Sequence, residues 1–179
     1  MADVRHAIRV GEDVSIRLLE GEREEMSALQ RVFEGTPTYF ERVTGAPAAP
    51  ADAQSTYTAL PEGKDYKDKF VFGIFIGETM VGCIDLIRAF PDDQTAHIGL
   101  LLIDEAHQRR GVGAAALRQL ESFVRAWGTC SSLRAGVVGT NGEVLPFWLS
   151  EGFRRTGEIK QYRYNHVESC LEILVKDLA

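Results

Sequence analysis

The stretch that most limits what this chain can become is "TAHIGLLLIDEAHQRRGVGAAAL", residues 95–117. A near-continuous apolar run ends at Ile103, and its composition suits a strand buried on both faces, as in the centre of a sheet. A short polar loop with two arginines and two glycines follows, then alanines and a leucine. From about Gly111 to Trp127 the apolar residues Leu117, Leu120, Val124 and Trp127 share one helical stripe, and Gly128 closes it. A strand that runs through a glycine-bearing turn into a helix belongs in a layered α/β domain. The turn presents unpaired N–H groups and the positive end of the helix dipole. Such a place binds phosphates well, or it is a plain loop whose glycines serve only the turn.

The rest of the chain is consistent with that frame. "VSIRLLEGE" alternates as a strand, and "EREEMSALQRVFEG" carries Met26, Leu29, Val32 and Phe33 at helical spacing. "TPTYFERVTG" reads as a second, short helix, and the Ala- and Pro-rich "APAAPADAQSTYTALPEG" as loop with at most a turn of helix. "KFVFGIFI" and "TMVGCIDLIRAF" form a hairpin about Gly77-Glu78. "LRAGVV" is a strand, and "NGEVLPFWLSEG" a helix from Asn141 to Gly152 whose Pro146 should kink or delay its start. "FRRTGEIKQYRYN" and "ESCLEILVKDL" close as an antiparallel pair. The order predicts one mixed α/β domain with four helices and no internal repeat, over residues 14–179, after a polar lead over residues 1–13.

Charge narrows the partners. With 26 acidic against 20 basic residues in 179, the net charge is −6, which argues against a nucleic-acid partner. The first residues lack an apolar signal core, and "LLLI" is too short to cross a bilayer, so the expectation is a cytoplasmic protein without membrane attachment. Cys83, Cys130 and Cys170 lie far apart with no CxxC, which reads as reduced structural thiols and no metal site.

Two phosphate-loop types fail on detail. A Walker loop needs Gly-Lys-Ser/Thr, and no Lys-Ser or Lys-Thr occurs. A dinucleotide fingerprint needs a third glycine where this chain has Ala116. What the stretch does resemble is the signature of the GNAT superfamily of acyl-CoA-dependent N-acetyltransferases, Gln/Arg-x-x-Gly-x-Gly/Ala, matched by Gln108-Arg109-Arg110-Gly111-Val112-Gly113. A second family motif is matched in spacing by Asn141, Phe147-Trp148 and Gly152-Phe153, with Trp148 standing where the family usually has Tyr.

The resemblance covers roughly residues 14–178 and implies the family fold: a central, mixed, mostly antiparallel sheet splayed between the fourth and fifth strands and flanked by about four helices. It implies acetyl-CoA as co-substrate, with no metal. The pyrophosphate would sit on the amides of Arg109, Arg110, Gly111, Val112, Gly113 and Ala114, and the pantetheine arm beside Leu101, Leu102 and Ile103. Arg109 or Arg110 would reach an adenosine phosphate or be solvated. Asn141 would bond the pantetheine arm or cap its helix, and Phe147 is core or pantetheine wall.

The implied reaction is acetyl transfer to a primary amine of a small molecule, peptide or protein. The alternative is a non-catalytic acyl-CoA-binding or regulatory module. A lysine-type amine has a pKa of about 10.4 and must lose a proton before it attacks. Many relatives carry a Glu on the fourth strand where this chain has His97, which titrates near ~6.5 and would serve as base or be a strand histidine held by a structural hydrogen bond. On a regular strand His97 shares a face with Gly99 and Leu101, with open space at the glycine. The usual acid is the Tyr replaced by Trp148, whose indole does not give up its proton near neutral pH; Tyr162 and Tyr164 are candidate substitutes. The resemblance puts the acceptor region on the first two helices and the C-terminal hairpin, here Tyr39, Phe40, Glu41, Tyr162 and Tyr164, residues that a short helix and amphipathic strands also carry for packing. A homodimer is compatible with the resemblance.

Overall fold

The computed structural model describes residues 13–178, so the expected polar lead lies, apart from Asp13, outside the described residues. The strands are β1 (Val14–Leu18), β2 (Lys69–Ile76), β3 (Thr79–Arg88), β4 (Thr95–Ile103), β5 (Ser132–Val138), β6 (Arg154–Tyr164) and β7 (Val167–Asp177). The α-helices are α1 (Arg23–Glu34), α2 (Pro37–Thr44), α3 (Asp52–Thr58), α4 (Val112–Ala126) and α5 (Leu145–Ser150). The strands form one sheet in the order β1-β2-β3-β4-β5-β7-β6, antiparallel except for the β4–β5 pair.

Local chemistry sets the element ends. Glu25 reaches back from the first turn of α1, and its Oε2 accepts the N–H groups of Glu20, Gly21 and Glu22 at 2.8, 2.9 and 3.1 Å. Helix α3 rises from the stretch expected as loop. Asp52 Oδ2 accepts the N–H of Ala49, and only Ala53 of this helix is buried. One buried methyl in seven residues leaves no period to read. Pro146 has its expected effect, since a 3-10 segment occupies 139–144 and α5 proper begins at Leu145.

The sheet carries a core on each face. On one, Val112, Ala116, Leu117, Leu120 and Val124 of α4 pack on Ile74, Ile84, Leu86 and Leu133. On the other, Leu29, Val32, Phe33, Phe40 and Ala53 from α1–α3 pack on Val71, Cys83 and Leu102. The outer edge of β1 is closed by a side chain. Gln119 of α4 donates to Val14 O at 2.7 Å and accepts the Ile16 N–H at 3.0 Å, as a neighbouring strand would.

Two irregularities in β4 position everything that follows. Its parallel pairing with β5 runs only from Thr95↔Ser132 to Ile98↔Ala135. Beyond that point β4 keeps β3 on one side, β5 keeps β7, and the two strands part. Leu101 and Ile103 are therefore half-buried rather than enclosed on both faces. The second irregularity is a bulge: Asp85 pairs with Leu100 and Leu86 with Ile98, leaving Gly99 without a partner. The extra residue reverses the alternation. Leu100 packs with the α1–α3 core and Leu101 with the α4 core, so Leu101 does not share His97's face as strict alternation would have it.

Candidate functional site: a split in the sheet beneath a helix N-terminus

The turn after β4 is built to leave amides free. Gln108 Nε2 donates to the carbonyl of Ile103 at 2.8 Å, tying the loop to the strand end. Asp104 accepts the N–H of His107. Arg109 and Gly111 both take positive φ, 61° and 77°, which rotates successive N–H groups toward one side. Among the described residues the N–H groups of Arg109 to Ala114 find no hydrogen-bond acceptor, and no side chain caps α4. Arg109 and Arg110 are exposed and have no carboxylate within 4.0 Å among the described residues. Its free donors, helix dipole and positive charge together suit this turn to an anion.

The two glycines of the turn differ. Gly111 needs its positive φ, and a Cβ there would meet nothing within 4 Å. At Gly113 a Cβ would lie 3.4 Å from the Phe147 ring and 3.9 Å from Ile103, ordinary contact distances, so this position faces protein at the junction of α4, α5 and the end of β4. Phe147 is half-buried at that junction. Trp148 is 7% exposed, with its ring stacked edge-on between Phe147 and Phe153 at 5.4 and 4.9 Å. Its main contacts are thus core contacts. Asn141 caps no helix: it sits at a kink of the 3-10 segment with φ −110°, and Val138 and Val144 hold the cap positions.

On the α1–α3 face, the floor at the parting point is polar. His97 lies beside Arg134, its register partner on β5, and Arg134 Nη1 is 3.1 Å from His97 Nδ1. A guanidinium only donates, so Nδ1 accepts and the neutral ring carries its proton on Nε2. Burial first, then the Arg134 charge and Lys160, pushes His97 from 6.5 down to about 4. With its lone pair occupied and its basicity lowered, His97 is a poor proton acceptor for an amine.

Gly99 is exposed, so the face is open at the fourth strand of seven. Two residues that the sequence reading missed lie here, Asp85 against Gly99 and Lys69 behind it. Lys69 and Asp85 form a buried pair, Nζ to Oδ1 2.8 Å, at side-chain exposures of 5% and 15%. Lys69 also donates to Thr56 O at 2.8 Å. The signal was available: Lys69 is the one charge of β2 and Asp85 interrupts the apolar middle of β3, where charges are rarely buried without a partner.

The acceptor candidates divide. Phe40 is core, 5% exposed, packed on Phe33. Tyr39 is half-buried with its hydroxyl pushed well above the usual tyrosine range by burial. Tyr162 donates to Val43 O at 2.7 Å, Asn165 to Thr44 O at 2.8 Å, and Thr140 to Arg42 O at 2.6 Å, so three bonds stitch α2 to the hairpin and the 139–144 segment. Glu41 lies in a groove along that seam with Thr38, Arg42 and His166, and Tyr164 is exposed at the hairpin. No group of His, Cys, Asp and Glu among the described residues could hold a metal ion, and no described helix is long and apolar enough to cross a membrane.

The sequence matches the acetyltransferase (GNAT) family over residues 32–153. No curated protein matches the chain. Among solved structures, an acetyltransferase from Thermus thermophilus shares 26% identity with a TM-score of 0.69, covering 91% of this chain and 97% of that one. The ribosomal-protein-S18-alanine N-acetyltransferase of Escherichia coli shares 17% at TM-score 0.66, covering 93% and 94%. A GNAT family acetyltransferase from Elizabethkingia anophelis with acetyl-CoA bound shares 15% at 0.63, covering 93% and 99%. The last two likenesses speak for the fold alone.

Proposed function

The chain belongs to the acetyltransferase (GNAT) family, and on that premise we propose that residues 14–179 form a cytoplasmic enzyme domain transferring an acetyl group from acetyl-CoA to a primary amine of a small molecule, peptide or protein. The observation that carries this reading is the parting of β4 from β5 directly below the free amides of residues 109–114. A diphosphate on those amides would have Arg109 and Arg110 as counter-charges, with Gln108 holding the turn in shape. The arm that follows would run down the unpaired side of Leu101, Leu102 and Ile103, exchanging strand-like hydrogen bonds with it. Asn141, Phe147 and, behind it, Trp148 would form the opposite wall, Trp148 chiefly by holding Phe147 in place.

The acceptor would enter on the α1–α3 face at Gly99, between Tyr39 and Glu41 of α2 and Tyr162 and Tyr164 of the hairpin. His97 is placed here as a donor through Nε2–H rather than as the base, because Nδ1 is occupied by Arg134. Tyr162 does not replace the missing acid, since its hydroxyl is committed to Val43. The thiolate of coenzyme A would leave without a dedicated protein acid.

The deciding experiment combines two readouts. Acetyl-CoA should raise the melting temperature by mass action, and thiol release should be seen with some members of a panel of alkyl, aryl and peptide amines. Stabilisation without thiol release would replace the enzyme by an acyl-CoA-binding module. Neither effect at millimolar acetyl-CoA would remove the reading.

A further inference from the structure

The open floor at Gly99 has one anionic group aimed at it. A Cβ added at Gly99 would lie 2.9 Å from Asp85 Oδ2, and its three nearest neighbours are all Asp85 atoms. Gly99 does not have a positive φ, so backbone conformation does not demand a glycine here. The carboxylate does, because any side chain would occupy its space. Asp85 is held from behind: Oδ1 faces Lys69 Nζ at 2.8 Å, out of hydrogen-bond alignment and with no other partner. Oδ2 is left toward the opening. Gly99 is also the first β4 residue past the last β4–β5 pair, Ile98↔Ala135. The carboxylate therefore stands at the apex of the split, where the acetyl-transfer reading brings in the acceptor.

The other titratable and charged groups near this floor serve less well. They are Lys69 on β2, Cys83 on β3, His97 on β4, Arg134 on β5, Tyr39 on α2, and Lys160 and Tyr162 on β6. His97 Nδ1 accepts from Arg134 and Tyr162 donates to Val43 O. Burial pushes the Tyr39 hydroxyl and the Cys83 thiol up, so both stay protonated. Glu105 accepts the N–H of Thr38 at 2.9 Å, away from the opening.

We propose that Asp85 is the catalytic residue that receives the acceptor's ammonium group at Gly99 and takes its proton, which makes the substrate class a primary amine arriving as a cation. The proposal rests on the acetyl-transfer reading. In the step, R–NH3+ gives one proton to Asp85 Oδ2, and the freed lone pair forms the N–C bond to the thioester carbonyl carbon. The C–S bond breaks, the sulfur leaves as thiolate, and the second proton of the nitrogen passes to it. Asp85 returns its proton to water, so the sum is amide, free thiol and one proton. Burial pushes Asp85 above the usual carboxylate range while Lys69 pulls it down, and a raised carboxylate is the better base for this transfer.

The test uses the full chain, acetyl-CoA and the amine panel. Asp85→Asn should keep the thermal stabilisation by acetyl-CoA and lose ~10²–10⁴-fold in turnover with every amine the wild type accepts. Because that variant leaves Lys69 buried without its partner, the pair Lys69→Met with Asp85→Asn is made beside it and should show the same loss. Lys69→Met alone should move the acidic limb of the kcat/KM profile up by roughly one to three pH units, because it removes the cation that depresses the carboxylate. Turnover of either Asn variant within about threefold of wild type, or an acidic limb unmoved by Lys69→Met, would overturn the role of Asp85 alone. A wild type that binds acetyl-CoA but acetylates no amine would overturn the amine reaction and this role with it.

Discussion

His97 illustrates how a neighbour decides what a residue can do. Its folded pKa of about 4 lies below the ordinary 6.5, so the unfolded chain takes up the proton first as pH falls. Above the ordinary value neither state is charged and the residue contributes nothing. Between the two values stability drops with falling pH, and below about 4 the whole penalty, on the order of 3 kcal/mol, is present. His97→Gln should therefore lose about 2 kcal/mol less stability than wild type between neutral pH and about pH 5, read by urea unfolding at both. An equal loss in the two proteins would mean that His97 is solvated. The histidine was legible in the sequence as a candidate; Arg134 was not, because nothing in a string of letters reveals which β5 residue lies opposite it.

At the scale of elements, the turn into α4 was the most readable part of the chain. Its glycines, arginines and flanking apolar pattern are local, and the helix expected from Gly111 to Trp127 forms from Val112 to Ala126. The same holds for β2 and β4, whose ends coincide with their apolar runs. The bulge at Gly99 was not readable, because pairing across strands, not the strand itself, creates it. Gly111 supplies a test of the turn. A β-branched residue at φ 77° strains the backbone, while its Cβ would stand in open space. Gly111→Val should thus leave the fold intact at a cost of roughly 1–3 kcal/mol while abolishing most of the melting-temperature rise given by acetyl-CoA. A full rise in the variant would move the cofactor elsewhere.

Over the whole molecule, the acceptor side is one stitched body, with α2, the 139–144 segment and the hairpin joined through Tyr162, Asn165 and Thr140. Tyr162→Phe removes one neutral hydrogen bond, so about 0.5–1.5 kcal/mol of stability should go. With the seam loosened, the KM for the amine should rise while acetyl-CoA stabilisation stays unchanged; a change confined to acetyl-CoA would place the seam on the wrong side of the sheet. The two rims of that sheet are also unequal. Gln119 has already used the outward Val14 carbonyl and Ile16 amide of β1, whereas β6 ends the sheet with eleven residues and, among the described residues, no strand beyond it. Edge-to-edge association is thus easier through β6 than through the partly occupied β1. Two copies meeting through β6 would use up the longer rim, which favours a closed pair over a fibre.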